Sequence, residues 1–294
     1  MSDEALIDKR AVRRSFEHAA ARYNAHAVLQ HEVCARMLER LEYIKLQPDV
    51  ILDAGSGTGN AVPGLLARYR GATLVALDVA HAMLQRVHGR LKWWQTLPAL
   101  RPPLHVVCGD VEALPIMTGG ITLAWSNLAL QWVNDLPRAL RELFRILAPG
   151  GLLMFSTFGP DTLKELRRSY EGTDGRTHVS RFVDMHDIGD LLVHAGFADP
   201  VMDMEYVTLT YESPQALLAE LKAIGATNRT RGRPRGLMGR GRFGRVSRAL
   251  DNARVDGRIP ATFEVVYGHA WKGEPRRTPD GHSIVRVQRK DRHR

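Results

Sequence analysis

Cysteine is scarce in this chain: among 294 residues only Cys34 and Cys108 occur, with no metal-type spacing between them. That excludes a disulfide framework and a cysteine-built metal centre, and no metal is expected. The two thiols read as packing residues in a reducing compartment. Long hydrophobic runs are missing too. No stretch reaches the roughly 18 apolar residues that would span a bilayer, so no membrane segment is expected. The start, Met1-Ser2-Asp3-Glu4, is acidic and lacks the apolar core of a secretory signal. A cytoplasmic protein is the economical expectation.

Acidic residues are absent from one segment in particular. Arg229, Arg231, Arg233, Arg235, Arg240, Arg242, Arg245 and Arg248 follow one another with no Asp or Glu between them. That run nearly accounts for the whole net charge of +9. An uncompensated basic patch attracts an acidic partner and speeds encounter. Nucleic acid, an anionic surface and an acidic protein all satisfy that description, and a solvated basic loop is the plainest alternative.

With 44% hydrophobic residues the chain can bury one large core, with or without a subdomain. Helix and strand patterns alternate, the mark of a doubly wound sheet. A helical pattern from about residue 5 to 44 stops at Pro48. Strands are expected at 50–54, 73–78, 104–110, 121–126 and 152–156. Helical runs lie between them, at 60–69, from Met83, and at 136–147. The last of these is stopped by Pro149-Gly150-Gly151. Further on, 184–195 reads as a helix capped by Gly196 and 201–211 as a strand. Ser213-Pro214 is a helix start, and 262–271 a last strand. The charged tail from Lys272 is expected to stay mobile.

The most informative run is Val50-Ile51-Leu52-Asp53-Ala54-Gly55-Ser56-Gly57-Thr58-Gly59-Asn60. A buried strand leads into a turn whose glycines let the backbone approach a ligand. No lysine follows, so this is not a Walker loop. An NAD fingerprint needs its third glycine one residue later. Asp53, Asp78 and Asp110 each fall at a strand's carboxyl end, where ligands of open α/β sheets bind, so all three face one crevice. Asp78, about 25 residues after Asp53, suits the hydroxyls of a ribose.

The glycine turn, with Gly109-Asp110-Val111-Glu112 after the third strand, resembles the class I S-adenosylmethionine-dependent methyltransferases. That resemblance implies S-adenosyl-L-methionine as cofactor and S-adenosyl-L-homocysteine as product. It implies cofactor contacts by Gln30, Asp53, Gly55, Ser56, Gly57, Gly59, Asp78, Val79, Met83, Asp110, Val111 and Asn127. Asp110 would meet the adenine amino group, and Asp53 the methionine ammonium. After the fourth strand stands Ser126-Asn127-Leu128-Ala129-Leu130-Gln131-Trp132. It carries neither the Asp/Asn-Pro-Pro-Tyr/Phe box of amino methylases nor the Pro-Cys of cytosine-C5 methylases, which disfavours nucleic acid as acceptor.

Three stretches narrow the resemblance further. Phe16-Glu17-His18-Ala19-Ala20-Ala21-Arg22-Tyr23-Asn24-Ala25-His26-Ala27-Val28-Leu29-Gln30 is one. Trp125 to Trp132 with Leu140-Arg141-Glu142-Leu143 is the second, and Leu221-Lys222-Ala223-Ile224-Gly225-Ala226-Thr227-Asn228 the third. Together they resemble the malonyl-[acyl-carrier protein] O-methyltransferase family of biotin synthesis over roughly residues 10–272. The resemblance implies methylation of the free carboxylate of a malonyl thioester, which disguises malonyl as an ordinary acyl chain. A carboxylate is already ionised at neutral pH, so alignment and removal of water replace acid–base catalysis. Tyr23, His26 and Gln30 share one face of the expected lid helix. Tyr23, His26, Trp132 and Arg181 are the candidates for positioning the substrate. Plain packing is the other reading for the lid face and for Trp132, and an ordinary surface charge for Arg181.

Arg229, Arg231, Arg233, Arg235, Arg240 and Arg242 would then dock an acidic malonyl-acyl-carrier protein; malonyl-CoA is the smaller alternative acceptor. Arg231-Gly232-Arg233-Pro234 also matches the core of a minor-groove AT hook, too short a match to carry weight. The expected organisation is an α/β, doubly wound, Rossmann-like and mostly parallel seven-stranded sheet. Residues 1–47 would form the lid, 48–211 the cofactor-binding core and 212–260 a helical, arginine-rich cap. The final strand would occupy 261–272, and a basic tail 273–294. Two rival readings remain. One is another small-molecule methyltransferase, acting on a free dicarboxylate or a quinone. The other is a methyltransferase-like assembly factor or protein-arginine-modifying protein.

Overall fold

The computed structural model describes residues 6–91, 103–174, 176–233, 236 and 238–274. Seven strands form one sheet: β1 (Val50–Ala54), β2 (Thr73–Asp78), β3 (Leu104–Cys108), β4 (Ile121–Ser126), β5 (Leu147–Phe158), β6 (Ala198–Tyr211) and β7 (Ile259–Trp271). Their order is β3-β2-β1-β4-β5-β7-β6. β1 pairs in parallel with β2 and β4, and β2 with β3, as β4 does with β5. Only β7 runs against its neighbours β5 and β6. The strand order reverses between β1 and β4, and the crevice at that switch point is where an open α/β sheet binds its ligand.

Strands buried on both faces read as apolar runs, and helices cover each side. On one face α3 (Val28–Arg40) brings Leu29, Val33 and Met37 against the sheet, joined by Leu65 of α4 (Val62–Arg68). On the other face α6 (Leu136–Ile146) and α8 (Met185–Ala195), separated in sequence by the short α7 (Lys164–Ser169), contribute Leu140, Leu143, Ile188 and Leu192. Asp135 caps α6 by accepting from Arg138 N, and Asp184 caps α8 by accepting from His186 N. Gly196 ends α8 at φ 102°, in the left-handed region that favours glycine. Ser213 caps α9 (Pro214–Ala223).

Residues 9–40 are not one helix. α1 (Lys9–Ala19) is followed by the single turn α2 (Tyr23–His26), and Ala27 at ψ 44° separates that turn from α3. Tyr23, His26 and Gln30 therefore do not share one helical face, which corrects the spacing argument. The arginine-rich segment also differs from a plain loop: Arg240–Asn252 is the helix α10, with Val246 and Leu250 buried. Arg235 and the tail beyond residue 274 lie outside the described residues. Of the two cysteines Cys34 is buried, but Cys108 is exposed, so the packing role holds for one only.

Close packing at the β5–β7 pair is testable. A Cβ at Gly268 would run into the ring of Phe155 and lie 2.9 Å from Met202 Sδ. Gly268→Ala is expected to cost about 1–3 kcal/mol through overpacking. Urea unfolding reads this as a lower midpoint with an unchanged slope.

Candidate active site

A cavity of about 450 Å³ opens at the carboxyl ends of the parallel strands. The turn after β1 forms its floor, with Gly55, Gly57 and Gly59 at φ 83°, 54° and 78°. Gly55 N and Ser56 N both donate to Leu77 O, which anchors the turn to β2. Asp78 holds the turn from the end of that strand. Its Oδ2 accepts from Gly57 N at 2.9 Å and its Oδ1 from Ala80 N at 2.8 Å.

Tyr23, Gln30, Asp53, Gly55, Ser56, Gly57, Asp78, Val79, Met83, Asp110, Val111, Asn127 and Trp132 all line this cavity. Gly59 does not; it supports the turn from behind, where a Cβ would press on Val62 and Val87. His26 lines a second cavity instead. Arg181 is exposed and lines neither cavity, although its neighbours Ser180 and Phe182 line the second, which favours its reading as a surface charge.

Burial dominates the electrostatics. Asp53 is 2% exposed and its Oδ2 has no hydrogen-bond partner. Burial, then the nearby Asp78, push its carboxyl up to about 8. Asp78 is pushed up to about 6 by burial, against the backbone N–H groups of Ala80 and Gly57, which favour its charged form. Ser56 Oγ and Gln30 Oε1 are also buried without partners. A buried carboxylate oxygen, a hydroxyl and an amide oxygen left open around one cavity suit a ligand that brings a cation and hydrogen-bond donors. The zwitterionic, sulfonium-bearing S-adenosylmethionine is such a ligand.

Asp110 is engaged: Lys9 of α1 pairs with it and with Glu112. The oxygen Oδ2 therefore already has a cation, a contact the sequence reading lacked. Other residues were missed for the same reason, that they arrive from the separate N-terminal segment. Glu17 accepts from His81 N at 3.0 Å and Ala82 N at 3.2 Å, docking α1 onto α5 (His81–Leu84). Asn24 Oδ1 accepts from Thr58 Oγ1 and from Arg90, which ties α2 to the glycine turn. Asn127 Nδ2 donates to Gln30 O at 3.0 Å, and Phe16 meets Trp132 edge-on at 5.3 Å. Only the local sequence Asp8-Lys9, a helix N-cap, signals where this segment turns helical.

The second cavity, about 230 Å³, adjoins the first: Gln30, Gln131, Trp132, Phe158, Ile224 and Ala226 line both.

Of the arginines, Arg233 pairs with Asp8 and Arg242 with Asp174. These two are engaged in ion pairs within the chain, contrary to a shared docking role. Arg229 is half-buried, and burial lowers its pKa. Arg231, Arg240, Arg245 and Arg248 are exposed.

Sheet order, glycine turn and strand-end carboxylates together define a class I, Rossmann-like S-adenosylmethionine-dependent methyltransferase, and residues 52–155 match a family described as methyltransferase domain. The YcgJ protein of Bacillus subtilis has the same fold, with a TM-score of 0.57 at 13% identity, over 82% of this chain and 99% of its own. Sequence relatives are far nearer. The malonyl-[acyl-carrier protein] O-methyltransferase of Gallionella capsiferriformans is 56% identical, over 97% of this chain and 98% of its own. That of Nitrosospira multiformis is 53% identical over 92% and 91%. The chain belongs to the malonyl-[acyl-carrier protein] O-methyltransferase family.

With the cofactor's ammonium set against Asp53, the raised carboxyl would make its binding pH-dependent. A cation at Asp53 favours the ionised form, so the proton held below about 8 must leave on binding. S-adenosylmethionine affinity is expected to rise with pH up to about 8, with net proton release at about pH 7. Titration calorimetry in two buffers of different ionisation heat measures that release, and none at all would contradict the assignment. The ligand-free protein has the opposite trend. An acid whose folded value exceeds its ordinary 3.8 keeps its proton preferentially in the folded state. That contribution to stability is present in full below about 3.8, declines as pH rises from there and is gone above about 8. The cofactor-induced rise in Tm should therefore grow with pH.

Proposed function

We propose that the protein transfers a methyl group from S-adenosylmethionine to the free carboxylate of a malonyl thioester on its acyl-carrier protein, an early step of biotin synthesis. Near-full-length identity to relatives of that name carries the reading. The two adjoining cavities support it, giving donor and acceptor separate compartments that meet at Trp132.

In this reading Asp53, Ser56 and Gln30 receive the methionine portion, Asp78 the ribose, and Asp110 with Val111 the adenine. The bound cofactor supplies an electrophilic methyl group. What the protein's own residues do is align and dry the reacting carboxylate. Phe16, Tyr23 and Trp132 close the junction against water, which strengthens the nucleophile and fixes its approach. No residue need take a proton. We treat α1 and α2 as the lid, and α9 with α10 as the cap. Two unpaired cysteines are compatible with a cytoplasmic setting, where we place the reaction; no helix among the described residues is long and apolar enough to cross a membrane.

A carboxyl ester is labile to mild alkali, whereas N-, C- and aryl O-methyl groups are not. Alkali also opens the thioester, so the readout is volatility: transferred radiolabelled methyl should be recovered as volatile methanol after alkali treatment, and label that stays non-volatile would refute ester formation. Docking of the acidic carrier is assigned to the exposed Arg240, Arg245 and Arg248. Replacing all three by Glu is expected to raise KM for malonyl-carrier protein about tenfold or more, with a steeper effect at low salt. KM for a small malonyl thioester should not move. An equal rise for both acceptors would remove the docking role.

A further inference from the structure

The second cavity has mostly apolar walls, including Leu163, Val179, Phe182 and Phe263, but besides Gln30 Oε1, shared with the first cavity, two polar atoms of its lining residues make no hydrogen bond among the described residues. Thr227 Oγ1 is buried with no hydrogen bond. The other atom is His178 Nδ1, which makes no hydrogen bond among the described residues, although the ring is only 8% exposed. That ring is held firmly. Its Nε2 lies 2.6 Å from Asp174 Oδ1, and Asp174 Oδ2 accepts from Arg242 at 2.7 Å. Its face stacks on Tyr170, with centroids 3.8 Å apart and planes 7° apart. A carboxylate can only accept, so Nε2 carries the hydrogen of that bond, and the tautomer with no second hydrogen presents a lone pair at Nδ1. Asn228 Nδ2 donates to Thr177 O at 2.6 Å, joining the segments that carry Thr227 and His178.

A hydroxyl donor and a ring acceptor on joined segments suit a group that both accepts and donates, and an amide is that group. We propose that this cavity binds the amide-bearing arm of the acyl thioester: Thr227 Oγ donates to the amide carbonyl and His178 Nδ1 accepts from its N–H. The inference rests on the thioester reading above and extends it to the arm beyond sulfur. A malonyl carboxylate in the first cavity would put its thioester at the Trp132 junction, with the nearest amide of a cysteamine-type arm two methylenes further on.

The test compares two small acceptors, the malonyl thioesters of N-acetylcysteamine and of pentanethiol, which matches it in length without the amide. The unaltered protein is expected to favour the amide-bearing acceptor about tenfold in kcat/KM, mainly through KM, because a desolvated polar site discriminates against a partner that leaves it unpaired. His178→Phe retains the aromatic stack, and Thr227→Val the shape. Each should bring the preference close to one while S-adenosylmethionine binding persists. His178→Gln, which can still donate to Asp174 and offers an oxygen, should recover part of it. Should His178→Phe fail to fold, Thr227→Val and His178→Gln decide. An undiminished preference in folded variants, or none in the unaltered protein, overturns the inference while leaving the methylation reading intact. Methylation of neither thioester nor malonyl-carrier protein, with cofactor bound, sinks both.

Discussion

Gly57→Val is expected to lower S-adenosylmethionine affinity by at least ~100-fold, about 2.7 kcal/mol, with loss of methyl transfer. Gly57 sits at φ 54°, where a β-branched residue is strained. Its Cβ would meet no protein atom within 4 Å, so the side chain projects into open space at the first cavity. The fold should therefore survive while the ligand is displaced. The Gly57 N–H to Asp78 is also put at risk, and with it the carboxylate that organises the turn. Gly55→Val is the contrasting case: its Cβ falls onto Ala129 Cβ, so the folded protein itself should be lost. Equilibrium dialysis with a thermal melt separates the two. Tight binding by Gly57→Val would contradict the placement of the cofactor on this turn.

Trp132→Ala is expected to reduce kcat about 10²-fold, because misalignment of reacting groups is costly. Trp132 lines both cavities from the 3₁₀ turn Leu130–Trp132, and its ring meets Phe16 edge-on. Removing it merges the compartments, admits water to the reacting carboxylate and takes from α1 an aromatic contact of about 0.5–1.5 kcal/mol. Trp132→Phe should recover most of the rate, since a ring still closes the junction. Single-turnover rates isolate this step from product release. Unchanged single-turnover rates in Trp132→Ala would make the residue ordinary packing.

The parallel half of the sheet was legible because its strands are short apolar runs that end in acidic residues or glycine turns. Asp53, Asp78 and Asp110 share a cavity for that reason: sequence position at a strand's end fixes location in this kind of sheet. Helical spacing was less informative in the N-terminal segment. Periodicity from Tyr23 to Gln30 carries no sign of the break at Ala27, which depends on where α1 and α3 dock. Arg181 shows the limit for isolated charges, whose direction is set by packing around them rather than by any pattern. Long-range partners were hidden altogether. Lys9 with Asp110 is separated by about a hundred residues, and Arg242 with Asp174 by nearly seventy. Local sequence states charge but not pairing, so the arginine run read as one surface although two of its members pair with acids elsewhere in the chain.

Intact-mass spectrometry of malonyl-carrier protein, incubated with the protein and S-adenosylmethionine beside acetyl- and succinyl-carrier protein, tests the central claim most directly. Expected is a gain of one methyl on the malonyl form, lost with Gly57→Val and absent from the acetyl form, which has no free carboxylate. No gain on any acyl form, while the cofactor still binds, would contradict it and turn attention to small-molecule acceptors and protein arginines.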